Sequence, residues 1–533
     1  MKRIISVFFT LIFFVSIAFP QSSMYRIILK DKGNPDFSIN DPIKFLSEKS
    51  IERRNRQHLY IDSYDLPIDE SYLDAITATG AVIVAKSKWT ETVVAETSDP
   101  SVVAELKKLS FVDTLYCVRR TTSATPKKDK IDDELQDCEL RVSRYGDAFT
   151  QISLNNGHLL HDAGFRGSGI TIAVIDAGFD GANKVGSIDF SRVKELKNFN
   201  HETSNLLASG VTHGTSVLSC MLANSESVMI GTAPEAEFYL FRSEVADEEF
   251  PVEEDYWVAA LEYADSIGAD IVTSSLGYSI FDDAAMNHTH TQLDGKTIPA
   301  SRAASLAASR GILLFNSAGN ERNKTWRKIT IPSDADNIIT VASVTADSTL
   351  SSFSSVGYSA DGRIKPDLAA MGSNVKVATP YAIVNGSGTS YSTPILAGLG
   401  ACLWQALPTL TASQMLALLR ESGNHYLKPD SLTGFGIADV YKAYSSQITS
   451  LPTINIKNPE NSNIFTFGNT LYINLNISNL DTNRLLIYSM LGNCVLKINK
   501  IGNQIDISAL PKGIYIAQLQ LGDRNFSKKF IKQ

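Results

Sequence analysis

Three polar side chains lie where secondary structure is predicted to change, and their types suit nucleophilic catalysis. Asp176 ends an apolar strand in residues 171–178 (TIAVIDAG), and His213 opens an apolar helix. Ser390 follows the glycine-rich residues 385–389 and enters another helix. Each motif alone is equally typical of a residue that caps a turn or a helix. Together they supply a hydroxyl to attack, an imidazole to take its proton and a carboxylate to orient the imidazole.

The surroundings of Ser390 favour chemistry in which negative charge develops. A helix beginning at Ser390 would present free backbone N–H groups, with Pro394 in its first turn, where proline is tolerated. Residues 314–321 (LFNSAGNE) end a strand in a turn that carries Asn320. Asn320 alone would be a turn residue, but beside the other motifs we expect its amide and the Ser390 N–H to form an oxyanion hole.

The chain order Asp, His, Ser is the subtilisin order, and no G-x-S-x-G surrounds Ser390. With Asn320, the motifs resemble the subtilase family over residues 145–449. Further matching segments are 231–234 (GTAP), 269–277 (ADIVTSSLG), 353–355 (FSS) and 365–370 (KPDLAA).

The resemblance implies a serine endopeptidase that hydrolyses proteins and peptides. Ser390 would attack the scissile carbonyl, His213 would carry the proton to the leaving amine, and Asp176 would fix the imidazole tautomer. The family strand that pairs with substrate backbone corresponds here to Ser275, Leu276 and Gly277.

The sequence departs from the family pattern in three places: residues 391–393 (YST) after the serine, Met371, and the long stretch 278–299. The stretch 278–299 bears on substrate preference rather than on the chemistry.

No metal or cofactor is expected in the chemistry. His288 and His290 form an H-x-H, but without a third ligand nearby a surface loop is the preferred interpretation. Subtilases often bind calcium, and the sequence leaves calcium open because no contiguous calcium loop occurs. Among the five cysteines, a Cys220–Cys402 bridge stays open, and buried free thiols are preferred.

The composition indicates a globular protein of several folding units. The 533 residues are 44% hydrophobic and 20% charged, which favours packed cores over disorder. The net charge of −8 argues against nucleic acid or an anionic membrane as the main partner.

The N-terminal residues 1–21 predict a signal peptide. Lys2 and Arg3 precede a mostly apolar run from Ile4 to Phe19, which is short for a membrane span of about 20 residues. We therefore expect the protein to leave the cytoplasm.

Residues 22–120 predict a small α+β domain with strands at 25–29, 82–85, 92–95 and 111–118 and helices at 43–57 and 100–109. This domain occupies the place of a subtilase propeptide, which would inhibit the enzyme until cleaved. Residues 121–144 read as an exposed linker that is cut during processing. The basic residues from Arg53 to Arg56 are predicted to be solvated surface.

Residues 145–449 alternate short apolar strands with longer helical segments. This alternation predicts an α/β domain, a parallel sheet with helices on both faces, in which the active site gathers at the carboxyl ends of the strands. The predicted strands include residues 170–175, 237–241, 271–274, 312–316 and 338–342.

Residues 450–533 predict a small β-sandwich, because apolar and polar residues alternate strictly in 471–477 (LYINLNI). Residues 505–515 (IDISALPKGIY) and the basic end 528–533 resemble the C-terminal sorting domains of type IX secretion substrates in Bacteroidota. A sandwich that binds carbohydrate or protein is the alternative.

Two classes of function remain open from the sequence: an active secreted endopeptidase made as a zymogen, and a non-catalytic surface protein that keeps the fold for binding. A third hypothesis, a processing protease with one dedicated target, differs from the first only in its substrate, and the sequence does not decide between them. The complete set of predicted catalytic residues favours the enzyme. We expect a monomer, located outside the cell or on the outer surface of a Gram-negative bacterium, with the secretion machinery as a partner.

Overall fold

The structure is a computed structural model that describes residues 22–120, 134–137, 144–200 and 205–449, and then 463–467, 470–474, 483–489, 493–499, 504–521 and 524–532. The chain divides into two units, one ending at Tyr444 and the other beginning at Ser445. The predicted signal peptide (1–21), Cys138 and the start of the predicted sandwich (450–462) lie outside the described residues. None of the described helices has the length and apolar character needed to cross a membrane.

The first unit contains the strands β1 (Ser23–Leu29), β2 (Val82–Ser87), β3 (Thr92–Thr97), β4 (Val112–Arg120), β5 (Glu134–Asp137), β6 (Thr171–Asp176), β7 (Val193–Asn198), β8 (Asn224–Ser225), β9 (Met229–Ile230), β10 (Glu237–Arg242), β11 (Ile271–Ser274), β12 (Leu313–Ser317), β13 (Ile339–Val344), β14 (Leu368–Met371), β15 (Val375–Ala378) and β16 (Ile383–Ser387). The α-helices of the chain are α1 (Glu48–Arg56), α2 (Glu70–Ala78), α3 (Pro100–Leu106), α4 (Phe149–Ser153), α5 (Gly157–Asp162), α6 (His213–Leu222), α7 (Val252–Ile267), α8 (Pro299–Ser309), α9 (Thr389–Ala406), α10 (Ala412–Ser422) and α11 (Val440–Thr449).

A four-stranded antiparallel sheet of order β2-β3-β1-β4 packs against helices α2 and α3 and forms the predicted α+β fold of residues 22–120. Helix α1 contacts α7 of the central domain. Helix α1 is shorter than predicted, because Ser47 caps it by accepting a hydrogen bond from the Ser50 N–H at 3.1 Å. Helix α2 was not predicted from the sequence.

Seven parallel strands form the central sheet, in the order β14-β13-β12-β11-β6-β10-β7. Along β6, Ile172 and Val174 pack with α6 and α9 on one face. Ala173 and Ile175 pack with α7 and α8 on the other face. The sequence prediction of a parallel sheet covered by helices on both faces is therefore confirmed.

The predicted linker contains one described strand. Strand β5 pairs antiparallel with β16, from Ser387 opposite Glu134 to Val384 opposite Asp137, and extends the hairpin β15–β16 to three strands. The sequence did not indicate this pairing, because it is made by backbone groups and needs no apolar pattern in the added strand.

The N-terminal sheet packs on the central domain through an interface that includes buried charges. The Nη2 atom of Arg26 lies 2.7 Å from the Oδ2 atom of Asp255 and 3.2 Å from the Oε2 atom of Glu254. On the same side, the Glu262 carboxylate of α7 accepts hydrogen bonds from the backbone N–H groups of Lys88 (3.1 Å) and Trp89 (3.0 Å). Cations of the first 120 residues thus meet carboxylates of the central domain.

The prediction that Arg53 to Arg56 form solvated surface is wrong for the first two arginines. Arg53 is 2% and Arg54 0% exposed, and both pair with Asp265 of α7. Burial alone would raise the pKa of Asp265, but Arg54 and Arg53 outweigh burial and hold that pKa below its usual value. The local sequence could not reveal this, since the partner lies more than 200 positions along the chain.

Cys220 and Cys402 are both buried thiols, and no disulfide joins them. The Cys402 thiol donates to the Thr232 carbonyl at 3.0 Å.

The second unit has two antiparallel sheets, β17-β18-β21 and β20-β19-β22-β23. Leu471 and Ile505 of the first sheet share a core with Leu485 and Leu519 of the second, so the predicted β-sandwich is confirmed. Lys532, near the basic end, is 5% exposed and donates to the carbonyls of residues 507 and 508. The strands of this unit are β17 (Asn463–Phe467), β18 (Thr470–Asn474), β19 (Asn483–Ser489), β20 (Cys494–Ile498), β21 (Gln504–Asp506), β22 (Gly513–Leu521) and β23 (Arg524–Lys532).

Replacing Asp265 by Asn removes the shared anion of two buried guanidinium groups. In chains that also carry Ser390→Ala and therefore stay full length, we expect Asp265→Asn to lower the free energy of unfolding by about 3–5 kcal/mol, measured by thermal unfolding followed by circular dichroism. Asp41→Asn is the matched control, since Asp41 pairs with Lys44 in an exposed ion pair, and its cost should stay below about 1 kcal/mol. Equal losses in the two variants would contradict a stabilising role for the buried pairs.

His161 makes stability depend on pH. It is 3% exposed, and burial lowers its pKa to about 4, against a weaker opposing effect of its hydrogen bond to the Thr232 carbonyl. Between pH 4 and about 6.5 the unfolded chain binds a proton that the native state does not, so stability falls as the pH falls through this window. His161→Gln should reduce the difference in unfolding free energy between pH 7 and pH 5 by about 2 kcal/mol, measured with urea.

The exposed His58 provides the control for this experiment. His58→Gln should leave the pH difference unchanged. An undiminished difference in His161→Gln would rule out His161 as its source.

Candidate active site

The Asp176 carboxylate and the His213 imidazole are in direct contact. Asp176 is the last residue of β6 and His213 the first of α6, and their Oδ1 and Nδ1 atoms are 2.6 Å apart. Asp176 is 0% and His213 8% exposed, and the same Oδ1 accepts from the Ala177 N–H at 2.7 Å. A carboxylate only accepts, so Nδ1 carries the proton and the imidazole has a fixed tautomer and orientation.

A close backbone approach places α6 over the turn after β6. The Gly214 N–H donates to the Gly178 carbonyl at 2.8 Å. A Cβ atom at residue 214 would lie 2.7 Å from that carbonyl oxygen and 2.7 Å from the Phe179 ring. Glycine at 214 therefore lets the first turn of α6 bring His213 to Asp176.

Ser390 is the second residue of α9 and is 6% exposed. It lines a cavity of about 110 Å³ together with His213 and Asn320. The predicted substrate-binding residues Ser275, Leu276 and Gly277 line the same cavity. Every predicted site residue except Asp176 thus borders one cavity, and Asp176 holds His213 through the contact described above.

The Asn320 side chain is held at the start of α9. Its Oδ1 accepts from the backbone N–H of Thr389 and from the Thr389 hydroxyl, both at 2.9 Å. The Thr389 hydroxyl also accepts from the Gly319 N–H at 3.2 Å. These bonds fix the plane of the Asn320 amide. Sequence reasoning missed Thr389, although its place directly before the serine was a usable signal.

Pro394 lies inside α9, not in the first turn as predicted. In an α-helix the carbonyl of residue 390 would accept from the N–H of residue 394, which proline lacks. The Ser390 carbonyl instead accepts a hydrogen bond from the Ser275 hydroxyl at 2.9 Å.

The wall of the cavity includes Thr330, which no sequence motif indicated. A Cβ atom built at Gly277 would lie 2.0 Å from the Thr330 hydroxyl oxygen, and one built at Gly319 would lie 3.0 Å from it. Thr330 therefore fills the space between two glycines that border the cavity. A side chain at either glycine would displace it.

One group of carboxylates among the described residues is close enough to hold a metal ion: Glu244, Glu249 and Glu253. The Glu253 carboxylate already accepts from the N–H groups of Val245 (2.8 Å) and residue 250 (3.2 Å). Glu244 accepts from the Tyr278 hydroxyl at 2.6 Å. Protein donors thus use part of the oxygen set that a cation would need.

The H-x-H pair does not converge on one point. His288 contacts the Glu254 carboxylate, whereas the His290 Nε2 lies 2.9 Å from the Trp326 carbonyl.

Comparisons with known proteins divide the chain into three family regions. Residues 167–436 match the subtilase family, residues 24–134 match a peptidase S8 propeptide domain of Bacteroidota, and residues 467–533 match a secretion system C-terminal sorting domain.

Similar proteins include two subtilisins. Subtilisin NAT of Bacillus subtilis subsp. natto is 27% identical over 378 residues, which are 69% of this chain and 85% of the relative. A subtilisin of Bacillus pumilus is 28% identical over 289 residues, covering 53% of this chain and 94% of the relative.

Among solved structures, the epidermin leader peptide processing serine protease of Staphylococcus aureus shares the fold, with a TM-score of 0.56 at 17% identity over 80% of this chain and 99% of that chain. The subtilase match covers half of the sequence and lies on the parallel sheet that carries the site. This chain belongs to the subtilase family of serine endopeptidases, with a propeptide domain before the peptidase domain and a secretion sorting domain after it.

Proposed function

We propose that Asp176, His213 and Ser390 are the catalytic triad of this endopeptidase. The observation that carries the proposal is the 2.6 Å contact between His213 and the buried Asp176, beside a cavity that Ser390 also lines. A carboxylate that fixes the imidazole tautomer leaves Nε2 as the nitrogen that can accept a proton from the nucleophile.

The reaction follows from these positions. The Ser390 Oγ attacks the scissile carbonyl while His213 Nε2 takes the hydroxyl proton, which gives a tetrahedral oxyanion. His213 then returns the proton to the leaving amine, the C–N bond breaks, and an acyl-enzyme remains. Water deprotonated by His213 hydrolyses the acyl-enzyme and restores Ser390.

The oxyanion would be held by the Asn320 amide and the Ser390 backbone N–H. Two features support this role: Asn320 borders the cavity, and its Oδ1 is engaged by Thr389. Fixed donors that need no reorganisation stabilise charge most effectively in a site with little water. Residues 275–277 would pair with the substrate backbone along the same cavity.

The remaining parts of the chain fit a secreted zymogen. Residues 22–120 would block the enzyme until the chain is cut within 119–144, and the C-terminal domain would direct export to the cell surface or beyond. We propose that the enzyme acts on proteins and peptides as a monomer and needs no metal for the chemistry.

A non-catalytic binding module is the competing function. It would have no need for a buried carboxylate that is hydrogen-bonded to a histidine of the cavity wall, so the enzyme is favoured.

Ser390→Ala tests the triad. Wild type should hydrolyse casein and release a fragment that ends within 119–144, whereas Ser390→Ala should stay full length and lose at least about 10³-fold in activity. Gel analysis and casein hydrolysis measure the two effects. Ser387→Ala, in the strand before the nucleophile, is the matched control and should behave as wild type.

An active Ser390→Ala protein would exclude Ser390 as the nucleophile. Two full-length and inert proteins would favour the binding module.

Asn320→Asp separates the two roles of Asn320. Asp keeps an oxygen that can accept from Thr389 but has no N–H for the oxyanion. The new carboxylate also repels the developing oxyanion, so we expect kcat to fall by at least about 10²–10³-fold, the size known for loss of this donor in a subtilisin, with little change in KM. Thr389→Val removes the hydroxyl contacts to Asn320 and to the Gly319 N–H but keeps the backbone N–H contact to Asn320, and it should cost much less. Equal losses in both variants would assign Asn320 a purely structural role.

A further inference from the structure

The helix that carries the nucleophile has a gap in its hydrogen bonding at the nucleophile itself. An α-helix satisfies the carbonyl of residue i with the N–H of residue i+4. In α9 the partner of the Ser390 carbonyl would be Pro394, which has no N–H. Both residues are buried, so water does not readily replace the missing donor.

A side chain from the central sheet fills this gap. The Ser275 hydroxyl donates to the Ser390 carbonyl at 2.9 Å, and both residues are nearly buried, at 7% and 6% exposure. Ser275 directly follows β11, and β11 is held between β6 and β12 in the middle of the sheet. The donor is therefore attached directly to a central strand of the sheet.

We propose that Ser275 is a positioning residue whose hydroxyl replaces the N–H that Pro394 lacks, and so fixes the Ser390 peptide relative to His213. This proposal rests on the proposed function of Ser390. It gives the Ser275 side chain a role separate from the backbone pairing with substrate that the family resemblance implies. It also ties the substrate-binding segment to the nucleophile through one hydrogen bond.

The proposal predicts that Pro394 and Ser275 depend on each other. With Ser275→Ala, the Ser390 carbonyl loses its donor, and the nucleophile is held less firmly. With Pro394→Ala, the backbone regains an N–H at the position where the helix can use it. The loss caused by Ser275→Ala should therefore shrink when residue 394 is alanine.

The test is a double-mutant cycle on the processed enzyme, with kcat and KM measured on one peptide substrate. We expect Ser275→Ala to lower kcat about 5–10-fold, the size of one hydrogen bond, and to change KM less than twofold. In the Pro394→Ala background the same change should cost less than twofold. Pro394→Gly, which also supplies an N–H, replaces Pro394→Ala if that variant fails to accumulate.

A second measurement excludes any contribution from peptide binding at residues 275–277. The rate at which a small sulfonyl fluoride modifies Ser390 reports on the nucleophile without a peptide in the cleft. It should fall in Ser275→Ala and recover in the double variant. Thermal unfolding of each protein provides the check that all four are folded.

Three results would overturn the proposal: an equal cost of Ser275→Ala in both backgrounds, an effect on KM alone, or an unchanged sulfonylation rate. The activity of the Ser390→Ala protein shows whether the positioning role of Ser275 or the proposed triad itself is wrong. An active Ser390→Ala variant rejects the triad, whereas an inactive one beside an unaffected Ser275→Ala rejects only the positioning role.

Discussion

The parallel register of the central strands is the constraint on which the site depends. Ser274 of β11 lies opposite Ile175 of β6 and Asn316 of β12. The residues that follow, including Asp176 and Ser275, therefore lie close together at the carboxyl ends of the strands. The evenly spaced backbone hydrogen bonds between parallel strands fix this alignment. Strand pairing alone therefore brings residues that are distant in sequence to the same end of the sheet.

Helices α6 and α9 bring His213 and Ser390 to the carboxyl ends of the strands. Each helix depends on one residue that is unusual within a helix. Gly214 permits contact between the start of α6 and the turn after β6. In α9, Pro394 lacks the backbone N–H that would donate to the Ser390 carbonyl, and the hydroxyl of Ser275, directly after β11, donates to this carbonyl instead. The nucleophile is thereby tied to the sheet as well as to its own helix, which limits the freedom of its peptide.

The same domain is joined to its propeptide through buried charges. Arg26, Arg53 and Arg54 leave water on docking, and their desolvation is offset only when carboxylates such as Asp265 and Asp255 meet them in good geometry. Burial raises the pKa of Asp255 to about 6 against the opposing effect of Arg26. Burial lowers the pKa of Arg26, but Asp255 and its other neighbours outweigh burial and hold that pKa above its usual value. An interface of this kind favours one docking geometry. It can also separate again, because each charged group regains its hydration.

The sequence by itself determined the order and type of the main elements and the identity of the proposed triad. These features are local: Asp176 ends an apolar run, and His213 and Ser390 each lie in the first turn of a helix that follows a recognisable turn motif. Only the tertiary structure decided that Arg53 is buried, that β5 adds to β16, and that the Ser275 hydroxyl reaches the Ser390 carbonyl. Each of these depends on a partner far along the chain, and a local pattern holds no information on which distant group will supply a charge or a hydrogen bond.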